Sequence, residues 1–230
     1  MTTGILSVVA TPIGNLEDIT LRALRIFKEA DYILCEDTRV TGKLLAHYEI
    51  KAKLKRYDAH ASEKVLQEIL EDLETGKHVA LVSDAGTPGV SDPGVLLVSA
   101  ARERGVKVQV IPGPSAVTAA FSIAGLAGNN FSFLGFVPHK KGRQTFFENL
   151  ATYNHPVIFF ESTHRIMKTL ATLSEMTADD STDWNIRIGR ELTKMHEEML
   201  VGSPEEIMKL LNDNPVKQKG EFVVIVERIN

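Results

Sequence analysis

One segment of the sequence combines glycine, proline and acidic residues in a way that suits ligand binding. It spans residues 84–94 (DAGTPGVSDPG) and carries two aspartates, Asp84 and Asp92, but no lysine or arginine. Glycine lets a ligand approach the backbone closely, and the negative charge favours a cationic ligand over a phosphate. The alternative is an ordinary turn whose aspartates cap helices.

Two common nucleotide-binding patterns are missing. The segment after the first predicted strand, residues 11–15 (TPIGN), holds one glycine, so the G-x-G-x-x-G fingerprint of dinucleotide-binding proteins is absent. The P-loop pattern G-x-x-x-x-G-K-[ST] occurs nowhere in the sequence. We therefore expect no phosphate-cradling loop of either type.

Hydrophobic periodicity predicts the elements that position the acidic loop. The predicted strands cover residues 5–10, 32–35, 50–57, 79–83, 106–111, 132–137, 157–161, 185–191 and 222–228. The predicted helices cover residues 16–27, 42–48, 63–75, 95–104, 116–127, 166–175 and 204–212, and residues 177–183 are predicted to be a polar loop. Strands that alternate with helices indicate an α/β fold with a mostly parallel sheet in the first half, whose carboxyl edge is where ligands bind.

The turn at residues 112–115 (PGPS) marks a domain seam. We predict an N-terminal α/β domain of residues 1–114 and a C-terminal α/β domain of residues 115–230. The single cysteine, Cys35, excludes an internal disulfide and favours a reducing, cytoplasmic setting. No apolar stretch approaches the roughly 20 residues of a membrane span. The net charge of −4 argues against general coating of nucleic acid but permits a local basic patch.

Eight motifs, in this order along the chain, resemble those of one known family. They are TPIGN (11–15), EDTR (36–39), SDAGTPGVSDPG (83–94), PGPSA (112–116), FLGF (133–136), ESTHR (161–165), RELTKMHEE (190–198) and KGEF (219–222). Together they resemble the ribosomal RNA small subunit methyltransferase I family, ribose 2′-O-methyltransferases of the tetrapyrrole methylase superfamily. The resemblance covers nearly the whole chain. Two residues differ from the family pattern: Ala85 and Thr163 stand at positions where proline is common.

The resemblance implies a tetrapyrrole methylase-like fold of two α/β domains with a cofactor cleft between them, in a homodimer. The implied cofactor is S-adenosylmethionine (SAM), whose sulfonium and ammonium groups suit the acidic loop. The contacts implied by motif position are Pro12, Asp84, Ala85, Gly86, Val90, Ser115, Ala116, Phe160, Leu192 and Gly220. Phe160 considered alone, without the resemblance, is more readily explained as a core residue. No metal is expected.

The implied reaction is methylation of the ribose 2′-hydroxyl of a cytidine in 16S ribosomal RNA. It requires polar groups that relieve the hydroxyl of its proton. We assign proton handling to Asp37 and Glu191, and orientation of phosphate or stabilisation of the alkoxide to Arg39 and Lys194. The other polar candidates are Glu36, His60, Glu161, His164 and Arg165, and for each candidate a salt bridge, helix cap or ordinary hydrogen bond is the alternative.

RNA binding requires local positive charge, which two clusters supply. Lys51, Lys53 and Lys55 share one face of a predicted strand, although lysines there could simply protect a sheet edge from aggregation. Lys140, Lys141 and Arg143 lie in a predicted polar loop. The alternative is that this loop is simply solvated and binds no RNA.

The expected partner is therefore small-subunit ribosomal RNA or the 30S particle, with no DNA and no membrane. Two alternatives remain: a methyltransferase of a corrinoid or sirohaem precursor, and a non-catalytic RNA-binding ribosome assembly factor.

Overall fold

A computed structural model describes residues 4–91, 94–180 and 183–229 of the chain. The chain divides into two compact units, Met1–Ser115 and Ala116–Asn230. Each unit contains its own five-stranded sheet, flanked by helices.

The sheet of the first unit is entirely parallel, with strand order β3-β2-β4-β1-β5. Its strands are β1 (Ile5–Val9), β2 (Tyr32–Cys35), β3 (Leu54–Arg56), β4 (His78–Leu81) and β5 (Lys107–Ile111). The predicted α/β alternation with a parallel sheet is thus confirmed for this half of the chain.

Four helices cover the two faces of this sheet: α1 (Leu21–Glu29), α2 (Thr38–His47), α3 (Glu63–Glu74) and α4 (Gly94–Glu103). Side chains of Thr20, Asp37 and Ser62 accept the backbone N–H groups that begin α1, α2 and α3. These caps satisfy donors that have no partner inside a helix, and so they fix where each helix begins.

The core of the first unit lies on both faces of the sheet. In β2, Ile33 and Cys35 pack into one cluster, and Tyr32 and Leu34 pack into the other. Alternate residues of a strand point to opposite faces. A strand that is covered on both faces therefore has the continuous apolar sequence that is seen here.

The sheet of the second unit is mixed, with strand order β6-β7-β10-β8-β9. Only β6 and β7 run parallel to each other; the other neighbouring pairs are antiparallel. The strands are β6 (Ser132–Phe136), β7 (Val157–Glu161), β8 (Asp183–Arg190), β9 (Glu198–Gly202) and β10 (Phe222–Ile229).

The helices of the second unit are α5 (Ala116–Ile123), α6 (Arg143–Leu150), α7 (Ile166–Asp180) and α8 (Pro204–Asp213). A capping box between Ser203 and Glu206 begins α8. The core contains Phe159 of β7, Leu170 of α7 and Val224 of β10. None of the described helices is both long and apolar enough to cross a membrane.

Several predicted boundaries are wrong. Strand β3 has three residues rather than the predicted 50–57, and α2 begins at Thr38 rather than at residue 42 because Asp37 caps it. Helix α7 continues to Asp180 through most of the predicted polar loop 177–183, whose residues 181–182 lie outside the described part of the chain. Helix α6 and strand β9 had not been predicted.

Candidate functional site

The carboxyl edge of the first sheet brings the predicted loops of that unit together. Strands β1, β2, β4 and β5 are parallel, so the segments that follow them meet at this edge. Thr11 and Gly86 exchange two backbone hydrogen bonds, of 2.9 and 3.1 Å. The Thr11 hydroxyl also donates to the carbonyl of Ser83 at 3.2 Å. The TPIGN segment and the acidic loop are therefore joined directly.

Gly86 occupies a backbone conformation that favours glycine. Its φ is +79°, and an added Cβ would lie 3.5 Å from Ile13 Cγ2 and 3.8 Å from the carbonyl oxygen of Pro114. Any other residue would be strained there even though the space is not filled. Among the other implied cofactor contacts of this unit, Pro12 is buried, Ser115 is half-buried, and Asp84, Ala85 and Val90 are exposed; Asp92 and Pro93 lie outside the described residues.

Acidic side chains of two strand ends meet at the same edge. The backbone N–H of Asp37 donates to Asp84 Oδ1 at 3.1 Å, and the N–H of Asp84 donates to Glu36 Oε1 at 3.4 Å. The loops after β2 and β4 thus hold each other, and they present three carboxylates within one small region. Such a cluster attracts a cation and repels a phosphate.

Arg39 holds the Asp37 carboxylate through both its backbone and its side chain. Its Oδ1 accepts the N–H of Arg39 at 2.8 Å, and the Arg39 guanidinium bonds both carboxylate oxygens at 2.5 to 3.1 Å. These hydrogen bonds lower the pKa of Asp37 to about 2. The carboxyl is therefore a permanent anion at neutral pH and a weak base. The Arg39 side chain is 86% exposed despite this pair.

A second polar cluster lies at one edge of the sheet in the second unit. Lys194 Nζ lies 3.0 Å from Glu191 Oε1 and 2.9 Å from Glu221 Oε2. Burial opposes ionisation of Glu191, but the N–H of Glu221 and the ammonium of Lys194 outweigh it and lower the pKa of Glu191. Burial likewise disfavours the charged ammonium, but its two carboxylate partners raise the pKa of Lys194. Glu191 and Lys194 are therefore both charged at neutral pH.

The backbone of this cluster is unusual. Glu191 and Thr193 have φ values of +49° and +65°, which are uncommon for residues with a side chain. Gly220 has a φ of +126°, and an added Cβ would lie 2.8 Å from Glu191 Cγ. The Thr163 hydroxyl donates to the Gly220 carbonyl at 2.6 Å and accepts its N–H at 3.0 Å. Only Gly can therefore occupy position 220 without moving Glu191.

Arg190 anchors this region, a role that the sequence reasoning missed. Its side chain is 7% exposed and pairs with Glu198 at 3.1 Å. Its other hydrogen bonds go to carbonyl oxygens of His196, Val216, Lys217 and Lys219. The planar guanidinium has five N–H donors in a fixed geometry, so it can bond several chain segments at once. Arg190 thereby fixes the loop that carries Glu191 and Lys194.

The remaining implied cofactor contacts of the second unit occupy three different environments. Ala116 is half-buried and begins α5, and Leu192 is buried. Phe160 is half-buried on β7, with its ring centroid 4.9 Å from that of Phe133 and 5.1 Å from that of Phe136. Phe160 thus belongs to an aromatic group at the sheet surface rather than to the buried core.

In the first lysine cluster, two side chains are exposed and the third has an acidic partner. Lys51 and Lys53 are exposed, but they precede the short strand β3 instead of lying in it. Lys55 lies 3.5 Å from Glu68 and 5.7 Å from the ring of Tyr32. Because β3 is an edge strand, the lysines also suit the alternative of edge protection.

The second basic cluster requires a correction. Lys140 and Lys141 are exposed, as predicted, but Arg143 is not in a solvated loop. Arg143 begins α6, and its side chain is 10% exposed. Its guanidinium donates to Thr169 at 3.0 Å and lies 3.7 Å from Glu161. Arg143 was mispredicted because it directly follows polar residues and because helix α6 was not recognised.

Glu161 is a structural residue. Its side chain is fully buried, and it accepts the N–H of Ser162 at 2.7 Å and the hydroxyl of Thr169 at 2.6 Å. Arg165 pairs with it at 2.9 Å. His60 and His164, two other polar candidates, are exposed. Within the described ranges, no three His, Cys, Asp or Glu side chains are grouped so as to hold a metal ion.

Comparison with known proteins defines the class. A sequence profile described as Tetrapyrrole (Corrin/Porphyrin) Methylases matches residues 6–208. A solved cobalt precorrin-4 methyltransferase shares the fold, with a TM-score of 0.70 at 18% identity over 96% of this chain and 94% of that chain. A uroporphyrin-III C-methyltransferase from Thermus thermophilus, solved with S-adenosyl homocysteine, has a TM-score of 0.63 at 19% identity over 97% of each chain. The chain belongs to the tetrapyrrole methylase family, which confirms the predicted fold class.

Closer relatives narrow this assignment. A protein from Thermotoga maritima is 43% identical over 223 residues, which are 97% of this chain and 98% of the relative. One from Pasteurella multocida is 43% identical over 226 residues, 98% of this chain and 79% of the relative. Both are named Ribosomal RNA small subunit methyltransferase I. The predicted resemblance to that family is confirmed.

Proposed function

We propose that this protein is a SAM-dependent methyltransferase that methylates the 2′-hydroxyl of a cytidine ribose in 16S ribosomal RNA. The observation that carries the proposal is the identity of 43% to small-subunit ribosomal RNA methyltransferases over 97–98% of the chain. The solved precorrin and uroporphyrin methyltransferases are at or below 20% identity and support the fold alone.

The residues of the first unit fit SAM chemically. The carboxylates of Glu36, Asp37 and Asp84 suit a ligand with a sulfonium and an ammonium group and no phosphate. Gly86 leaves space beside the backbone because it has no side chain. The proposed contacts remain those that the family resemblance implies: Pro12, Asp84, Ala85, Gly86, Val90, Ser115, Ala116, Phe160, Leu192 and Gly220.

The proposed reaction forms a bond between the ribose oxygen and the methyl carbon while the carbon–sulfur bond breaks. It requires oxygen, carbon and sulfur in line, and the hydroxyl proton must leave. One carboxylate, Asp37 or Glu191, both anionic at neutral pH, would accept the hydroxyl hydrogen bond and orient the oxygen, and the proton would pass to solvent water as the oxygen–carbon bond forms. Arg39 and Lys194 would hold a phosphate or stabilise the developing alkoxide.

The RNA would be held by lysines. The exposed Lys140 and Lys141 are the first candidates, and the second group consists of the exposed Lys51 and Lys53 with the half-buried Lys55. Each lost contact with a single-stranded phosphate flattens the slope of log affinity against log salt by about 0.7. Replacing Lys140 and Lys141 together should therefore change the slope by about 1.4 and leave SAM binding unchanged.

We also propose that the protein acts in the cytoplasm as a homodimer. Apolar side chains on one helix and on an edge strand of the first unit support the homodimer: Val95 and Leu96 of α4 are 54% and 68% exposed, and Val110 of β5 is 62% exposed. Exposed apolar side chains that cluster are typical of an interface.

Calorimetry with SAM and S-adenosylhomocysteine tests the cofactor assignment. We expect one site per chain, and we expect Gly86→Val to abolish binding because valine is strained at a φ of +79° and would narrow the approach to the backbone. Gly105→Val is the control, since Gly105 has a φ of +71° with open space around it. Absence of binding to the wild-type protein would favour a non-catalytic assembly factor, whereas methylation of a macrocycle instead of RNA would favour a corrinoid or sirohaem enzyme.

A further inference from the structure

The turn between β7 and α7 is held by several hydrogen bonds. The carbonyl oxygen of Ser162 accepts the backbone N–H groups of Arg165 and Ile166, each at 3.0 Å. The Arg165 guanidinium donates to the Ser162 hydroxyl at 3.1 Å and to the carbonyl oxygen of Val137 at 2.7 Å. Thr163 lies in this turn, so its own backbone has a well-defined position.

The Thr163 side chain joins this turn to the segment that precedes β10. Its hydroxyl donates to the carbonyl oxygen of Gly220 at 2.6 Å and accepts the N–H of Gly220 at 3.0 Å, across 57 positions of sequence. Two hydrogen bonds to one residue restrict both its shift and its rotation, because either movement breaks one of them. Thr163 therefore fixes the backbone of Gly220.

The segment fixed in this way holds Glu191. An added Cβ at Gly220 would lie 2.8 Å from Glu191 Cγ, so the backbone of Gly220 lies directly beside that side chain. The N–H of Glu221 donates to Glu191 Oε1 at 2.9 Å, and the carbonyl oxygen of Glu221 accepts the N–H of Glu191 at 3.0 Å. Both the backbone and the carboxylate of Glu191 thus depend on residues 220 and 221.

Lys194 depends on the same segment. Its ammonium lies 3.0 Å from Glu191 Oε1 and 2.9 Å from Glu221 Oε2, and its backbone N–H donates to the carbonyl oxygen of Glu191 at 3.0 Å. Glu191 and Thr193 have φ values of +49° and +65°. Such conformations persist only where the surrounding structure enforces them, so loss of the contacts from residues 220 and 221 would let this loop relax.

We propose that Thr163 is a positioning residue for methyl transfer, which places the Glu191 carboxylate and the Lys194 ammonium by fixing Gly220. This role rests on the proposed function, since it assumes that these two groups act on the attacking ribose oxygen. Displacement of a reacting group by about 1 Å can lower a rate by about 10²-fold. Binding of SAM is spread over many proposed contacts, of which only Leu192 and Gly220 are neighbours in sequence of Glu191 and Glu221. Loss of the hydroxyl therefore acts on the rate more than on cofactor affinity.

Four variants separate this role from a purely structural one. Thr163→Val removes the hydroxyl at nearly constant shape, Thr163→Ala removes it without bulk in case valine prevents folding, and Thr163→Ser keeps it. The control is Thr177→Val on α7, because the half-buried Thr177 hydroxyl also donates to a backbone carbonyl of the second unit, that of Leu173 at 3.1 Å. Each variant is assayed by single-turnover methylation of 30S particles at saturating SAM, by calorimetry with SAM, and by amide hydrogen exchange of residues 190–198.

We expect Thr163→Val and Thr163→Ala to lower the single-turnover rate by about 10- to 100-fold and to change SAM affinity by less than about threefold. Thr163→Ser and Thr177→Val should stay within about twofold of the wild-type rate. Exchange of the Glu191 and Lys194 amides should be faster in Thr163→Val and Thr163→Ala, and unchanged in the other two variants.

Equal rates for Thr163→Val and Thr177→Val would overturn the positioning role, and so would a loss of SAM affinity that parallels the loss of rate. Unchanged amide exchange in Thr163→Val would also contradict it, and that measurement requires neither SAM nor RNA. Failure of the proposed function is a different result, because the wild-type protein itself would then transfer no methyl group to 30S particles.

Discussion

Asp37 and Glu191 show how their neighbours determine what a carboxylate can do. Each is held as an anion by a cationic partner and by backbone N–H donors, and the pKa of each is lowered. A group with a depressed pKa accepts a proton poorly, but it orients a hydroxyl at every pH near neutrality. Their proposed role is therefore positioning of the attacking oxygen.

We predict that Asp37→Asn and Glu191→Gln each lower turnover by about 10²-fold or more and change SAM affinity only a few fold. The wild-type rate should not fall between pH 8 and pH 5 through these carboxyls, because the pKa of each lies below its ordinary value. Single-turnover assays and calorimetry measure both quantities, with Asp18→Asn, an exposed carboxyl, as control. A parallel loss of SAM affinity would instead make these residues part of the cofactor pocket.

A second test of a single residue concerns the hydrogen bonds between Thr163 and Gly220. The Thr163 hydroxyl donates to the carbonyl oxygen of Gly220 and accepts a hydrogen bond from the N–H of the same residue. Thr163→Val has nearly the same shape but leaves those groups without partners, so it should lower the free energy of unfolding by about 1–3 kcal/mol. Thr163→Ser keeps the hydroxyl and should lie within about 0.5 kcal/mol of wild type in urea unfolding. Similar losses in both variants would show that the methyl group, and not the hydroxyl, matters.

Sequence reasoning located these residues only in part. Asp84 and Gly86 were predictable, because apolar runs define parallel strands and their carboxyl ends must meet. The left-handed backbone of Glu191 was not, because it depends on contacts with Glu221 and Gly220, which are distant in sequence. The deviation of Thr163 from the family pattern was the one available signal for its contact with Gly220.

At the scale of elements, Glu161 joins β7 to α6 and α7. Its carboxylate lies near Arg143 of α6 and accepts from Thr169 of α7. Glu161→Gln would leave two guanidinium groups without a counter-charge, and we expect a loss of about 3–5 kcal/mol in the free energy of unfolding. Glu29→Gln breaks the exposed pair with Arg25 and should cost less than about 1 kcal/mol. Chemical denaturation of both variants measures the difference, and equal effects would contradict the assigned role of Glu161.

The first sheet contains a partly buried polar contact that should make the stability of the protein depend on pH. Ser7 of β1 bonds His78 of β4 at 2.7 Å, and Gln109 of β5 donates to Ser7 at 2.7 Å. Burial lowers the pKa of His78, and the nearby Glu29 and Asp31 only partly oppose this. The neutral imidazole is therefore favoured in the folded state.

Because the unfolded chain takes up the proton first, stability should fall as the pH drops below about 6.5. The change ends when the pH passes below the lowered pKa of the folded state. His78→Gln should remove this part of the pH dependence in urea unfolding between pH 8 and pH 5, and His60→Gln, an exposed site, should not. Parallel curves for His78→Gln and wild type would contradict the assignment.

The elements were predictable where local pattern and tertiary context agree. Strand β2 is apolar on both faces and was predicted with its observed bounds. Strand β3 was predicted to be longer than it is. Lys51, Lys53 and Lys55 alternate with apolar residues in the pattern of a strand, but only three residues of this segment pair with β2. Helix α6 was missed because its eight residues follow a basic turn and are too short to establish a periodicity.

At the scale of the whole molecule, we predict that the exposed apolar residues of α4 mediate dimer formation. Val95→Glu combined with Leu96→Lys should convert the protein to a monomer in size-exclusion chromatography with light scattering. Leu21→Lys, at an 86% exposed apolar position of α1, is the control and should leave the mass unchanged. A wild-type protein that is already monomeric at micromolar concentration would refute the dimer.

The central claim is that the chain methylates ribose in small-subunit ribosomal RNA, and nucleoside mass spectrometry tests it most directly. Purified protein is incubated with methyl-deuterated SAM and 30S particles from a strain that lacks this protein, and the RNA is digested to nucleosides. We predict one deuterated 2′-O-methylcytidine per particle, and none with Gly86→Val. A label on a base, or no label in RNA while SAM binds normally, would contradict the proposed activity.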